Sequence, residues 1–232
     1  LVITKTGEDV TGKMKSWAGL RIRKLEKENL CGFIFKSKSP SSGMERVKVY
    51  NAKGMPHKTG VGIFAKAFMN AFPLLPVEEE GRLHDPVLRE NFIERIFALK
   101  RWRKTLRANR NPGGLVDFHT RNKLLLLSHS PEFYQKMGKL VAESKHFDKD
   151  QLFKTYEAML LQALKLKTTV KKNVNVLQHI LGYFKELLSS DEKQEVLEIL
   201  EQYRNGFLPL IVPVTLINHF VRKYDQPYLK KQ

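Results

Sequence analysis

The spacing of apolar residues changes character about a third of the way along the chain. Among the first 80 residues, "LCGFIFK" (30–36) is a continuous apolar run of strand length, and "GVGIFAKAFMNAF" (60–72) has the pattern of a helix. A short "RVKVY" strand and a turn at Asn51–Gly54 lie between them, and "PLLPVEEEG" (73–81) predicts a further strand. Strand, helix and strand at this spacing predict a crossover unit with parallel strands.

The rest of the chain is predicted to be helical. Asp85 followed by Pro86 is an N-cap with proline at the first helical position, and it opens a long helix that runs to about Arg107. A capping box at Ser189 and Glu192 opens another helix, which stops at Gly206. Other helices are expected at about 116–128, 131–144, 150–167 and 170–188, with a last one ending near Tyr224.

These patterns predict an α+β protein built from two domains. A partial α/β domain with a parallel sheet is expected over residues 1–97, and an all-α helical domain over 115–232. The basic end of a helix and a linker, 98–114, are expected between them, with "NPGG" (111–114) as the boundary.

Charge changes this picture by indicating a partner. The chain has 41 basic and 24 acidic residues, a net charge of +17, and residues 97–180 alone carry 17 basic and 6 acidic side chains. Such a field attracts polyanions, nucleic acid first and an anionic membrane surface second. A basic protein with no polyanionic partner remains the alternative. No apolar run reaches the roughly 18 residues that a membrane-spanning helix needs.

A loop rich in serine follows the first predicted strand. In parallel sheets ligands bind beyond the carboxyl ends of strands, where "SKSPSSG" (37–43) falls. The candidate catalytic residues here are Ser41, with Ser39 and Ser42 behind it. The loop lacks the spacing of known phosphate-binding motifs, and an ordinary strand-to-turn connection is the alternative.

Three carboxylates, Glu78, Glu79 and Glu80, lie at the end of the second strand of the crossover unit. They could bind a metal or supply a general base, with Glu78 as the candidate, or they could be a solvated loop.

The stretch "KRWRKTLRANR" (100–110) has six basic residues and no acidic one. Trp102 within it could stack on a base. The candidate RNA-binding residues are Lys100, Arg101 and Arg103, and a solvated helix end is the alternative reading of the same charges.

A single apolar stripe runs through residues 170–188. Val170, Val174, Leu177, Leu181, Phe184 and Leu188 recur at helical spacing, which predicts a buried face. The opposite side holds hydrogen-bond donors without a carboxylate, unlike the mixed charges of "DEKQEVLEILEQ" (191–202). This side is the stronger candidate for contact with RNA or phosphate: Lys165, Lys171, Lys172, Asn175 and His179, with Arg121 and Lys123 on a neighbouring helix.

Several long stretches of the chain resemble known families. From about residue 117 to 232, "DFHTRNKLLLLSHSPEFYQKMGKLV", "ALKLKTTVKKNVNVLQHILGYFKELLSSDEKQE" and "YRNGFLPLIVPVTLINHFVRKYDQPYL" resemble the YbgA family. Over residues 1–97, "LCGFIFKSKSPSSGMERVKVY" and "GRLHDPVLRENFIERIF" resemble the C-terminal part of the thiouracil desulfidase (TudS-like) domain in its form fused to a YbgA domain.

The resemblance implies a tRNA 4-thiouridine desulfidase whose helical domain binds tRNA. The single cysteine of the chain suits a reducing cytoplasm. Members of the desulfidase family hold a [4Fe–4S] cluster through three cysteines, and their serine loop ends in Ser-Pro-Ser-Cys-Gly. Here Ser42 stands at that cysteine position, so Cys31, the single cysteine of the chain, is the remaining candidate metal ligand. About five strand residues at roughly 3.3 Å each separate Cys31 from the loop, which makes a core thiol the competing role.

Two functional expectations follow from these residues. The first is a two-domain desulfidase acting on thiouridine in tRNA, in which this chain lacks part of the catalytic domain and by itself binds no cluster. The second is a non-catalytic RNA-binding protein in which the α/β part is only a scaffold. The residues do not indicate an oligomeric state.

Overall fold

The computed structural model of the protein describes residues 1–4 and 6–232, and these form two compact units. The N-terminal unit is Leu1–Arg101 and the C-terminal unit is Trp102–Gln232. The division falls inside the predicted linker, which is helical up to Ala108. A small sheet in the first unit and helices throughout the second confirm the α+β class.

The N-terminal unit mixes helices with short strands. Its elements are α1 (Thr11–Leu25), β1 (Phe33–Phe35), β2 (Val47–Tyr50), β3 (Pro56–Gly60), α2 (Ile63–Ala71), β4 (Val77–Glu79) and the first part of α3 (Pro86–Ala108).

Two strand pairs are present in the described part of this unit. Strands β1 and β4 pair in parallel, with Phe33 opposite Val77 and Phe35 opposite Glu79, which confirms the predicted crossover. Strands β2 and β3 form an antiparallel hairpin around the predicted turn. Strand β3 is absent from the sequence-based prediction because its residues are mostly exposed and do not alternate between apolar and polar.

Phenylalanines make the core between β1 and α2. The Phe33 and Phe68 rings lie 4.4 Å apart between centroids, and the Phe35 and Phe68 rings meet edge to face at 5.5 Å. Phe64 and Phe68 are buried on one face of α2 because they are four residues apart. This packing holds the carboxyl end of β1 against the first turn of α2.

The C-terminal unit is helical throughout. After the end of α3 it contains α4 (Pro112–Arg121), α5 (Lys123–His129), α6 (Pro131–Ala142), α7 (Lys149–Lys165), α8 (Val170–Leu181), α9 (Ser190–Arg204) and α10 (Ile211–Lys223). "NPGG" begins a helix as well as following one: Asn111 accepts a hydrogen bond from the Gly114 N–H as the N-cap of α4.

The helix predicted at 116–128 is two helices in the structure. The break lies at Asn122, which is 5 % exposed and whose side-chain amide donates to the Phe118 carbonyl oxygen at 2.8 Å. That bond competes with the backbone ladder, as short polar side chains in helices commonly do. The sequence pattern missed it because leucines continue on both sides.

The predicted apolar stripe packs into the core formed by α5, α8, α9 and α10. Val174, Leu177, Phe184 and Leu188 are buried there, whereas Val170, at the first position of α8, is 43 % exposed. The capping box of α9 is present as predicted, with Ser189 and Glu192 bonding each other's backbone N–H groups. Within the described residues, no helix combines the length and the apolarity needed to cross a membrane.

Candidate functional site

The loop after β1, residues 36–43, is called the serine loop below. Hydrogen bonds to Ser39 close its backbone: the Ser39 hydroxyl accepts from the Ser41 N–H at 3.3 Å and from the Ser42 N–H at 3.1 Å. The Gly43 N–H donates to the Ser39 carbonyl oxygen at 2.8 Å. The loop is therefore a defined turn with little freedom of its own.

The serine loop is seated on the first turn of α2. The Phe64 N–H donates to the Ser41 carbonyl oxygen at 2.8 Å and the Gly62 N–H to that of Gly43 at 2.8 Å, while the Pro40 carbonyl accepts from Ile63 at 3.1 Å. The free N–H groups of a helix N-terminus are what usually bind an anion. Here loop carbonyls already occupy them, so this geometry argues against a phosphate site at the loop.

The three candidate serines have different surroundings. The Ser39 hydroxyl is engaged inside the loop, so it positions the loop. Among the described residues, the Ser41 and Ser42 hydroxyls have no hydrogen-bond partner, and both side chains are half-buried. Ser41 and Ser42 are therefore the two that can meet a ligand.

All three glutamates at the end of β4 accept hydrogen bonds from neighbouring backbone or side-chain groups. Glu79 accepts from the Met44 N–H at 2.6 Å, just after the loop. Glu80 accepts from the Ser37 N–H at 2.7 Å, and the Lys36 ammonium lies 2.9 Å away. They connect strand β4 to both ends of the serine loop.

Glu78, the candidate catalytic carboxylate, is buried in an arginine network. It is 8 % exposed and accepts from Arg82 Nε at 2.7 Å, while Arg82 Nη1 donates to Glu45 at 2.7 Å. Burial lowers the pKa of the Arg95 guanidinium, and the charge of Glu78 opposes that change. Such a carboxylate is engaged as a counter-ion, which makes Ser41 the better placed of the two candidates.

Replacing Glu80 by Gln is expected to destabilise the N-terminal unit at neutral pH but not at pH 2. The ion pair with Lys36 and the bond from the Ser37 N–H lower the pKa of Glu80 from 4.5 to about 2. A carboxylate with a lowered pKa stabilises the fold above its unfolded pKa and loses that contribution as the pH falls towards the folded one. The wild-type advantage should therefore disappear between about pH 4.5 and pH 2.

Urea unfolding of the wild-type protein and of Glu80→Gln at several pH values measures this difference in stability. Glu186→Gln, at an exposed residue of the C-terminal unit, is the control for a lost carboxylate. If the wild-type protein exceeds Glu80→Gln in free energy of unfolding by as much at pH 2 as at pH 7, the ionised carboxylate does not have this role.

Cys31 lies before β1, whereas the serine loop follows it. The thiol is half-buried, and its sulfur lies 4.0 Å from the Asn29 carbonyl oxygen. Among the described residues, no three histidine, cysteine or acidic side chains are grouped so that they could hold a metal ion. A cluster held by three cysteines does not fit this donor set, because the chain has one thiol and it stands at the other end of the strand.

The basic stretch around residues 100–110 differs from its sequence-based interpretation. Lys100 and Arg101 are exposed on α3 in the N-terminal unit, and Arg103 is half-buried in the C-terminal unit. Trp102 is fully buried, with its indole N–H donating to Glu157 at 2.7 Å, so the prediction that it offers a stacking surface is wrong.

Helix α8 presents an exposed polar stripe. Lys171, Asn175 and His179 follow one another at four-residue spacing, and all three are exposed. The His179 ring meets Tyr183 edge to face at 5.9 Å, and Tyr183 stacks on Tyr228 at 5.2 Å. These five residues, called the α8 stripe below, combine donors with aromatic rings, the two features of single-stranded RNA contacts.

The other predicted basic contacts have separate surroundings. The Lys172 amine donates to the His129 carbonyl oxygen at 2.6 Å and so ties α8 to the end of α5. Lys165 is exposed at the end of α7, and Arg121 is paired with Asp117 at 3.0 Å. Lys123 is half-buried at the start of α5.

Sequence reasoning missed the two tyrosines of the α8 stripe. The four-residue step from His179 to Tyr183 was a usable signal, since it continues the helical spacing. Tyr228 is 45 residues further along the chain, and only folding brings it to Tyr183.

Comparisons with known proteins match both units. Residues 1–80 match the family described as 2-thiouracil desulfurase, and residues 123–232 match the family described as "Protein of unknown function (DUF1722)". The "Uncharacterized protein YbgA" of Escherichia coli (strain K12) is 32 % identical over 144 residues, which cover 62 % of this chain and 85 % of that protein. The chain belongs to the YbgA family. No solved structure matches it.

Membership of the YbgA family confirms the resemblance on which the sequence-based expectations rested. The YbgA-like part contains the α8 stripe, and the desulfurase-like part contains the serine loop and the glutamates that anchor it. The serine loop and the α8 stripe therefore lie in separate matched regions.

Proposed function

We propose that this protein takes part in removing sulfur from thiolated uracil, 4-thiouridine in tRNA, with the serine loop contacting the base and the helical unit binding the RNA. The match of residues 1–80 to a 2-thiouracil desulfurase family supports the base chemistry. The excess of 22 basic over 13 acidic residues in the C-terminal unit supports a polyanionic partner.

One observation carries this proposal: two serine hydroxyls have no hydrogen-bond partner within the described part of the chain, on a loop whose backbone is held by hydrogen bonds. Ser41 and Ser42 are half-buried, while the carbonyls around them are engaged by α2. A hydroxyl on an already ordered loop can form a hydrogen bond to the edge of a uracil without the entropy cost of ordering the loop on binding. In the overall reaction water replaces sulfur at the ring carbon and sulfide leaves, so a hydroxyl there can also orient that water or pass a proton.

The described residues of this chain do not form a site for the iron–sulfur cluster of the desulfidase family, so no step of the proposed mechanism involves that cluster. Such a cluster would supply an iron that accepts the sulfur. Cys31 is the single thiol of this chain, and it precedes β1, whereas the serine loop follows β1. The residues of this chain are therefore assigned to holding the base and the RNA.

Photocrosslinking tests the proposed base contact directly. The thiocarbonyl of 4-thiouridine reacts with neighbouring side chains under near-ultraviolet light, so irradiation of bound thiolated tRNA marks the peptide next to the base. We expect the crosslinked peptide to contain the serine loop and its yield to fall in the double variant Ser41→Ala, Ser42→Ala. The control Ser190→Ala, in α9, should crosslink as wild type does.

A crosslink confined to the C-terminal unit would contradict the assignment of the serine loop. The tRNA affinity is measured in parallel, because the serine variants should retain it if the loop meets only the base.

Binding of tRNA should depend on salt through the exposed lysines of the C-terminal unit. Each lysine that neutralises a phosphate contributes roughly 0.7 to 0.9 to the slope of log affinity against log salt. The double variant Lys165→Gln, Lys171→Gln is therefore expected to flatten the slope by about 1.5 and to weaken binding by about 30-fold near 0.1 M salt. Lys172 is left intact because its amine holds His129.

The matched control is Lys185→Gln, Lys193→Gln, which removes the same charge near acidic residues, from the exposed Lys185 and the half-buried Lys193. If both double variants change the slope equally, net charge explains the effect and the lysines at 165 and 171 are not contacts.

The second candidate function is RNA binding without catalysis, with the N-terminal unit as a scaffold. The single thiol favours it, because this chain by itself offers one cluster ligand. The two functions separate in the crosslinking experiment: a pure RNA-binding protein should bind thiolated and unthiolated tRNA equally and give no crosslink at the serine loop.

A further inference from the structure

A pocket of about 450 Å³ lies within the C-terminal unit. Helix α4 contributes Val116, His119 and Thr120 to its lining, and α6 contributes Val141 and Ala142. Its size falls within the roughly 300–1,000 Å³ of small-molecule sites. Mostly apolar walls with a few polar groups are also typical of such sites.

A buried histidine in this lining has one nitrogen without a partner. His119 is 3 % exposed, and its Nδ1 lies 3.1 Å from the Tyr156 hydroxyl. Among the described residues, His119 Nε2 has no hydrogen-bond partner. Gly138 stands in front of that nitrogen: a Cβ added there would lie 3.9 Å from it.

The surroundings keep this histidine neutral. Burial and the nearby charge of Lys123 lower the pKa of His119 to about 4. A neutral imidazole has one donor nitrogen and one acceptor nitrogen, so Nε2 complements whatever role Nδ1 takes towards Tyr156. A buried polar atom left unsatisfied is costly, and a ligand that bonds to it removes that cost.

The charged groups of the pocket are all positive. Lys123 and Lys145 line it, and no aspartate or glutamate does. Gly113, in the first turn of α4, also lines it. Pro112 has no N–H and the Gly114 N–H donates to Asn111, so the Gly113 N–H is the donor that this helix N-terminus can offer to an anion. Two cations and a helix N-terminus suit a phosphate dianion better than a single carboxylate.

From the His119 Nε2 atom, which has no partner among the described residues, and from the positive charge around the pocket, we infer that the pocket binds a nucleotide. The phosphate meets Lys123, Lys145 and the N-terminus of α4. The base lies against Val141 and its neighbours, and a polar atom of its edge bonds to His119. The inference does not depend on the proposed desulfidase activity, since no residue of the N-terminal unit enters it.

The same chemistry could come from two sources, a free nucleoside monophosphate or one nucleotide of a bound RNA. Titration calorimetry of the full chain with uridine monophosphate and adenosine monophosphate tests the shared chemistry. Uridine and inorganic phosphate serve as half-ligands. We expect a nucleotide to bind at least about tenfold more tightly than either half, since each lost charged hydrogen bond weakens binding about that much.

Three variants locate the site: Gly138→Leu, Gly138→Ala and Lys145→Gln. Gly138→Leu places a side chain in front of His119 Nε2, and Gly138→Ala is the milder version, whose Cβ has ordinary contact distances. A residue with a side chain is preferred over glycine within a helix, so both variants should fold. Gly138→Leu and Lys145→Gln should each weaken the nucleotide by about tenfold, whereas Lys154→Gln, at an exposed residue of α7 outside the pocket, should not.

A competition experiment separates the two sources. If nucleotide and tRNA exclude each other, and Gly138→Leu weakens both, the pocket receives a nucleotide of the RNA; if both bind together, the ligand is a free nucleotide. The absence of nucleotide binding by the wild-type chain overturns the inference. Binding that remains unchanged in Gly138→Leu and Lys145→Gln, with circular dichroism showing both folded, also overturns it.

Discussion

Trp102→Ala is expected to lower the free energy of unfolding of the C-terminal unit by about 3–5 kcal/mol, the usual cost of truncating a buried aromatic residue. Trp102 is fully buried, with the rings of Phe118 and Tyr156 at 5.0 and 4.9 Å. Truncation would leave a cavity between these rings and would also remove the hydrogen bond to Glu157. A loss of this size is a large fraction of the stability of an ordinary domain.

Chemical unfolding followed by circular dichroism measures the loss. The control is Trp17→Ala, which removes the other tryptophan of the chain at a position that is 54 % exposed, and its expected cost is below about 1.5 kcal/mol. The competing role, a ring that stacks on RNA, would instead give a Trp102→Ala protein of normal stability with weakened tRNA binding. That result would contradict the burial of Trp102.

Gly62→Ala is expected to displace the serine loop and to cost about 3 kcal/mol in the N-terminal unit. A Cβ at this position would lie 2.3 Å from the carbonyl oxygen of Ser41 and 2.8 Å from the backbone nitrogen of Gly43. Both neighbours are backbone atoms, which cannot turn aside as the end of a side chain can. Either the loop moves away from α2 or the helix loses its first turn.

Gly19→Ala, in α1, is the matched control because nothing lies within 4 Å of a Cβ added there. It should leave stability unchanged or raise it by about 0.5–1 kcal/mol, as alanine does within a helix. Two measurements test the Gly62 variant: its unfolding free energy, and its crosslinking to 4-thiouridine in tRNA. Wild-type values for both would show that the loop is not held by its contact with α2.

Much of the fold could be predicted because it depends on local signals. Asp85 caps α3 by accepting hydrogen bonds from the Val87 and Leu88 N–H groups. This motif can be recognised from residues 85–88 alone. The parallel pairing of β1 with β4 followed from the order of the elements. The hairpin strand β3 was not predictable in the same way, since its residues do not have an apolar face that marks a strand.

The candidate site was predictable in position but not in detail. The rule that ligands lie beyond the carboxyl ends of parallel strands indicated the serine loop. It could not separate Ser39 from Ser41, because the two have the same side chain and differ only in what the folded loop places beside them. The sequence shows that three acidic residues end β4, but it does not show their hydrogen bonds to the two ends of the serine loop, which form only on folding.

The sequence by itself determined the α+β class, the family resemblance, the basic charge and the stretches in which serines and lysines gather. These depend on composition and on spacing within a few residues, which are present in the chain before it folds. Only the tertiary structure decided which of these side chains are available. It buried Trp102, engaged Lys172 and Glu78, left the Ser41 hydroxyl without a hydrogen-bond partner among the described residues, and set His119 into a pocket. Such assignments depend on contacts between residues distant in the chain, and a side chain's chemistry follows from those contacts as much as from its type.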